Sequence, residues 1–156
     1  MAKEIERKFL VAEGWHPEGD GDYIAQGYLS ANEQAAVRIR IRKGHGYLTV
    51  KSNVNGVVRM EYEYEVPLKD AEEMLKLCAG PIIEKHRYLL PAGNGRTWEV
   101  DVFHGDNEGL TVAEIELGAE SEDFLRPDWL REDVSTNPRY FNCNLAKNPY
   151  KNWQAD

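Results

Sequence analysis

Apolar and polar residues alternate with period two along most of the chain, the pattern of strands whose two faces meet different surroundings. The alternation predicts eight strands, at residues 3–11, 23–30, 35–42, 47–52, 59–66, 82–90, 96–103 and 110–117. The intervals carry turn chemistry: Gly19, Asp20 and Gly21; Gly44, His45 and Gly46; Asn53, Asn55 and Gly56; Gly93, Asn94 and Gly95; Gly105, Asp106, Asn107 and Gly109. Connections this short favour antiparallel neighbours. Residues 70–77 predict a helix, with Asp70 as cap, Glu73 completing a capping box and Gly80-Pro81 as the stop. A second helix is predicted from Ser121 to about Leu130, and residues 136–156, rich in Asn, Pro and aromatics, read as ordered coil or short turns.

Sorting each strand by face exposes an unusual repeat. Glu4, Glu6 and Lys8 share one face against Ile5 and Phe9, and Arg38, Arg40 and Arg42 oppose Val37, Ile39 and Ile41. Lys51 lies opposite Leu48 and Val50; Arg59, Glu61, Glu63 and Glu65 oppose Met60, Tyr62, Tyr64 and Val66. Lys85 pairs with Arg87, Glu99 with Asp101, and Glu114 with Glu116. A solvated sheet face would mix Ser, Thr, Gln and Lys. Here the positions are nearly all carboxylates or cations, segregated by strand. Eight strands suffice to close a barrel wide enough for one small ligand. The reading is a mainly β (α+β) fold, an eight-stranded antiparallel closed barrel with a few helices outside and a charged lumen. Such a lumen needs a polyanion and divalent cations to offset its desolvated charge.

Composition narrows the class. The 156 residues, 42% hydrophobic and 29% charged, fit one globular domain over residues 1–156. The net charge of −8 argues against a nucleic-acid surface. Cys78 and Cys143 lack metal or redox spacing, no export signal precedes the first strand, and no apolar run could span a bilayer as a helix. A cytoplasmic location with reduced thiols is expected. Outward-facing Arg7, Glu84 and His86 argue against a membrane barrel. The four histidines sit on turns or the outer face and read as structural. No nucleotide-binding loop, nucleophile elbow or zinc-protease helix is present.

The two signs of charge suggest phosphoryl chemistry. Lys8, Arg38, Arg40, Lys51, Arg59, Lys85 and Arg87 are candidates to bind a chain of phosphates. Glu4, Glu6, Glu61, Glu63, Glu114 and Glu116 offer hard oxygen ligands for Mg²⁺ or Mn²⁺. Lys8, Arg40, Lys85 and Glu63 are the candidate catalytic residues. Tyr28 and Gln26 share a face and could reach the lumen, although core packing is the commoner role of a strand tyrosine.

These residues resemble the CYTH, or triphosphate tunnel metalloenzyme, superfamily. Glu4-Ile5-Glu6-Arg7-Lys8 is similar to its Glu-x-Glu-x-Lys opening. Arg38-Ile39-Arg40, Lys51, Arg59-x-Glu61-x-Glu63, Lys85-x-Arg87, Asp101 and Glu114-x-Glu116 follow in order. The resemblance implies an eight-stranded tunnel, a triphosphate substrate and Mg²⁺ or Mn²⁺, with Asp101 joining the carboxylates as a metal ligand. The compact length and Arg139-Tyr140-Phe141-Asn142-x-Asn144-Leu145-Ala146 look most like short bacterial inorganic triphosphatases. Thiamine triphosphatase, class IV adenylyl cyclase and a non-catalytic polyphosphate or nucleotide sensor are the alternatives. No nucleic-acid or membrane partner is implied, and assembly is left open, a homodimer included.

Overall fold

A computed structural model describes residues 3–52 and 57–153. The strands are β1 (Lys3–Val11), β2 (Asp22–Ala31), β3 (Ala35–Arg42), β4 (His45–Ser52), β5 (Val58–Val66), β6 (Ala79–Gly93), β7 (Arg96–Phe103), β8 (Thr111–Glu116) and β9 (Leu130–Asp133); the helices are α1 (Leu68–Leu75) and α2 (Asn142–Lys147). All pairings are antiparallel, in the order β5-β4-β3-β2-β6-β7-β8-β1-β9, and a further β5–β1 pairing closes strands β1 to β8 into a barrel. Every predicted strand is present. The expected turn at Asn53, Asn55 and Gly56 lies outside the described residues.

Closure is shared between two partners of one strand. β5 pairs with β1 at residues 3–5 of β1, and Glu6 N donates to the carbonyl of Val57, just before β5, at 3.0 Å. Farther along that strand β9 takes over, pairing with Phe9 and Val11, while Val134 N donates to the Lys8 carbonyl at 2.9 Å and Lys8 N to Ser135 Oγ at 2.8 Å. The segment after β8 therefore completes the wall.

That segment corrects the second predicted helix. Residues 121–129 form no helix, and β9 begins at Leu130. Pro127 disfavours helical geometry at Arg126, and the Trp129 carbonyl is taken by Ala12 N at 2.8 Å. Phe124 and Trp129 instead pack on the barrel exterior, where Ile5, Phe9, Trp98, Val100, Ala113, Ile115 and Leu117 are buried. Trp98 meets Phe9 and Trp129 edge-on, and Trp129 stacks on Trp15 with centroids 4.5 Å apart. The covering rings of Trp15, Phe124 and Trp129 are only partly buried, but the apolar area they remove from water, at about 25 cal/mol per Å², stabilises the wall without helical periodicity.

The first helix is present but starts earlier than predicted, at Leu68 after Pro67. Asp70 lies inside its first turn and makes no capping bond. Its carboxylate still favours that end through the helix dipole. Ala71 packs on Gly46, where an added Cβ would come within 2.4 Å of the Ala71 Cβ. Gly80-Pro81, expected to stop the helix, lies within β6.

The barrel interior is not charged throughout. Tyr28, Ile83, Phe103 and Val112 share strand faces with Gln26, Lys85, Asp101 and Glu114, and they pack with Leu10, Ala36 and the α2 residues Leu145 and Ala146. The tail thus fills one end of the barrel with an apolar plug. The ordered coil predicted there contains α2 and short 3₁₀ turns at Pro138–Tyr140 and Tyr150–Asn152.

Candidate active site

Closure brings the charged faces around a tunnel of about 680 Å³, within the range of small-ligand sites. Lys8, Arg38, Arg40, Lys51, Arg59, Lys85 and Arg87 all line it, with Glu4, Glu6, Glu61, Glu63, Glu114 and Glu116. Asp101 does not reach the tunnel surface. It is fully buried inside the barrel, accepting from Arg87 Nε at 2.8 Å, Arg87 Nη2 at 2.9 Å and Lys85 Nζ at 2.8 Å. Burial would raise its carboxyl, but Arg87 and Lys85 hold it well below the usual range. With both oxygens engaged by Arg87 and Lys85, Asp101 anchors these two cations of the tunnel.

The cations fall into distinct environments. Arg87 has carboxylate partners on both sides, with Glu99 3.2 Å from Nη1. Lys51 lies 3.3 Å from Glu4 and 3.6 Å from Glu61. Lys8 is 3.9 Å from Glu114, and its Nζ donates to the Tyr140 carbonyl at 2.9 Å. Arg59 lies over the Phe141 ring at 5.6 Å. Arg38 contacts Thr49 Oγ1 at 3.3 Å and, more loosely, Glu63 at 3.5 Å; its buried Nε meets no hydrogen-bond acceptor among the described residues. Arg40 Nε donates to Gln26 Oε1 at 2.8 Å. Arg40 is lowered to about 9 by burial first, then by Arg38 and Arg87. Lys85 is lowered to about 7 by burial, with Arg87 and Arg40 adding to the effect against Asp101. Unsatisfied donors and crowded positive charge are a liability. An anion relieves both.

The carboxylates show the complementary frustration. Glu4 is raised to about 7 by burial and by its hydrogen bond with Glu61; Glu61 is lowered despite burial by that bond and by Lys51, Arg38 and Arg40. Burial and Glu114 push Glu6 well above its usual range, while Lys8, the Glu6 bond and Arg87 hold Glu114 well below against burial. Two adjacent pairs therefore each favour retaining a proton. Among the described residues, no group of three or more Asp, Glu, His or Cys side chains is arranged to hold a metal ion. The paired carboxylates would supply part of a hard cation's oxygen shell, with water and phosphate oxygens completing it. Glu63 and Glu116 are exposed toward the mouth, where Glu63 accepts from Thr49 Oγ1 at 3.0 Å.

The sequence reading missed Asn142, whose Oδ1 accepts from Lys85 Nζ at 3.3 Å and Gln26 Nε2 at 3.2 Å. It also undervalued Gln26, which is fully buried on the tunnel face of β2. Face parity put Gln26 toward the lumen, but no spacing rule points to a residue in the tail. Among the histidines, His86 and His104 pair on the exterior with ring nitrogens 2.7 Å apart.

Comparison with known proteins agrees with the architecture. The CYTH domain profile matches residues 2–149. An inorganic triphosphatase of Acetivibrio thermocellus is 48% identical over 156 residues, covering 99% of each chain. One from Nitrosomonas europaea is 34% identical over 148 residues, covering 92% of this chain and 96% of the relative. A crystal structure of an inorganic triphosphatase superposes with a TM-score of 0.67 at 33% identity, covering 94% of this chain and 95% of the other. A Pyrococcus furiosus protein, at 24% identity, TM-score 0.57 and coverage of 76% and 80%, shares the fold alone. The ordered charges, the closed tunnel and these likenesses together place the chain in the CYTH domain family.

Proposed function

We propose that this protein is a divalent-cation-dependent triphosphatase that hydrolyses inorganic triphosphate to pyrophosphate and phosphate. The observation that carries the reading is the meeting, in one tunnel, of cations short of carboxylate partners with carboxylate pairs that retain protons. The full-length likeness to relatives named inorganic triphosphatase supports the substrate class.

Lys8, Arg38, Arg40 and Lys85 bind the phosphate chain, the arginines through paired N–H donors. Lys51, Arg59 and Arg87 add positive field from the surrounding wall. Glu4, Glu6, Glu61, Glu63, Glu114 and Glu116 would hold Mg²⁺ or Mn²⁺, which supplies charge to the phosphate oxygens and the departing pyrophosphate. Asp101 serves by fixing Lys85 and Arg87. Water attacks the terminal phosphorus in line with the leaving oxygen, and the tunnel contributes placement and preorganised charge, which phosphoryl transfer needs more than covalent participation. The apolar plug keeps bulk water from one end.

A phosphate-release panel tests this directly. Inorganic triphosphate, thiamine triphosphate and ATP are each supplied with Mg²⁺, with Mn²⁺ and with chelator, and cyclic nucleotide is measured alongside. Cation-dependent turnover highest on inorganic triphosphate is expected. Cyclic nucleotide from ATP, or tight binding with no product, would replace the proposal with a cyclase or a sensor.

A further inference from the structure

The tunnel has a floor made of amides. Gln26 is fully buried, and both ends of its side chain are spent: Oε1 accepts from Arg40 Nε at 2.8 Å, and Nε2 donates to Asn142 Oδ1 at 3.2 Å. Asn142 Oδ1 also accepts from Lys85 Nζ at 3.3 Å, whose other partner is Asp101 at 2.8 Å. The opposed acceptor and donor roles leave each amide one consistent orientation. Arg40 on β3, Gln26 on β2, Asn142 at the start of α2 and Lys85 on β6 form one connected network.

A buried glutamine among cations is a costly choice for packing alone, since an apolar residue would fill the same space without desolvating an amide. A carboxylate would hold Arg40 more strongly, as Asp101 holds Arg87, but would cancel its charge. The neutral amide fixes Nε and leaves the charge intact. Among the described residues nothing accepts from the Arg40 Nη atoms.

We propose that Gln26 and Asn142 are positioning residues that orient Arg40 and Lys85 toward the substrate's phosphates, which makes the C-terminal helix a working part of the site. This deepens the triphosphatase reading and rests on it. Asn142 gives Lys85, already paired with Asp101, a second and uncharged acceptor that restricts the ammonium without offsetting more of its charge. Placement errors near 1 Å cost phosphoryl transfer heavily, so losing either amide should show in kinetics before it shows in stability.

The test pairs Gln26→Leu with Arg40→Lys, which keeps the charge but has no Nε–H, and follows KM, kcat, melting temperature and the Arg40 Nε–H signal by NMR. Gln26→Leu is expected to lower kcat/KM for inorganic triphosphate about tenfold and to remove the exchange protection of that proton. In the Arg40→Lys background it should add less than about twofold, because the bond is already gone. Equal losses in both backgrounds, or an unprotected Arg40 Nε–H in the parent protein, would overturn the assignment. If Gln26→Leu does not fold, Asn142→Ala is read instead: about a fivefold fall in kcat/KM at an unchanged melting temperature is expected, and no fall contradicts the proposal. A parent protein that turns over no triphosphate defeats the activity reading, while the NMR signal still decides the Gln26–Arg40 bond.

Discussion

Two walls of the tunnel hold their cations in opposite ways. On β6, Arg87 is gripped by Asp101 and Glu99, and Lys85 by Asp101, so much of their charge is offset inside the protein. On β3, Arg40 rests on the amide of Gln26, while Arg38 rests on the Thr49 hydroxyl, with Glu63 at 3.5 Å and an unpartnered Nε. The first wall is satisfied by the fold. On the second, Arg38 and Arg40 are left for something that enters, while Arg42 at the strand's end pairs with Asp22 at 2.9 Å. Residue type alone does not separate these arginines; the partner of each guanidinium does.

The sharpest break of this contrast is at Asp101. Asp101→Ala leaves Lys85 and Arg87 buried without their main counter-charge, and urea unfolding should show a loss of roughly 3–5 kcal/mol, the cost of removing one member of a buried ion pair. A loss under about 1 kcal/mol would mean the β6 wall does not depend on its carboxylate.

Glu116→Gln should come next in size. The residue is exposed at the mouth, so the melting temperature should hold while cation-dependent turnover falls roughly 100-fold, at or beyond the 10–100-fold typical of an outer-shell partner. Retained activity would remove Glu116 from the cation-binding set.

The smallest effect is in the pH dependence of cation binding. Because Glu4 is raised to about 7, the stability it gains by keeping a proton is fully present below the ordinary carboxylate value near 4.5 and is lost as pH rises through about 7. If the proposed cation site includes this pair, a divalent cation would offset that loss by binding its ionised form. Scanning calorimetry should therefore show Mg²⁺ or Mn²⁺ raising the melting temperature more at pH 8 than at pH 6, by about 2–4 °C for each kcal/mol of added stabilisation. An equal rise at both values would mean the cation does not displace those protons.

The barrel was legible because alternation marks strand faces, and charge placed on one face of strand after strand has few explanations other than a shared interior. The register that assigns partners was not legible. Asp101 stands opposite Arg87 because β6 and β7 pair in one particular way, and nothing local to Asp101 distinguishes that role from metal binding. Residues 121–129 misled because their composition suits a helix while their aromatic rings are needed on the barrel's outer face. Gln26, although its face parity pointed to the lumen, was not ranked as a site residue because β2 carries no paired charge on its tunnel face, and Asn142 was missed because its role depends on the tail folding back across the sequence to meet β2 and β6.

The most direct measurement compares Arg40→Ala with the parent protein, following kcat/KM for inorganic triphosphate and melting temperature on the same preparations. Arg40 makes one hydrogen bond to a neutral amide and is depressed to about 9 by burial and by Arg38 and Arg87. Its removal should cost at least about 100-fold in turnover, as losing a preorganised charge does, with a melting temperature unchanged or raised. A protein that melts far lower yet turns over triphosphate normally in its folded fraction would contradict the account.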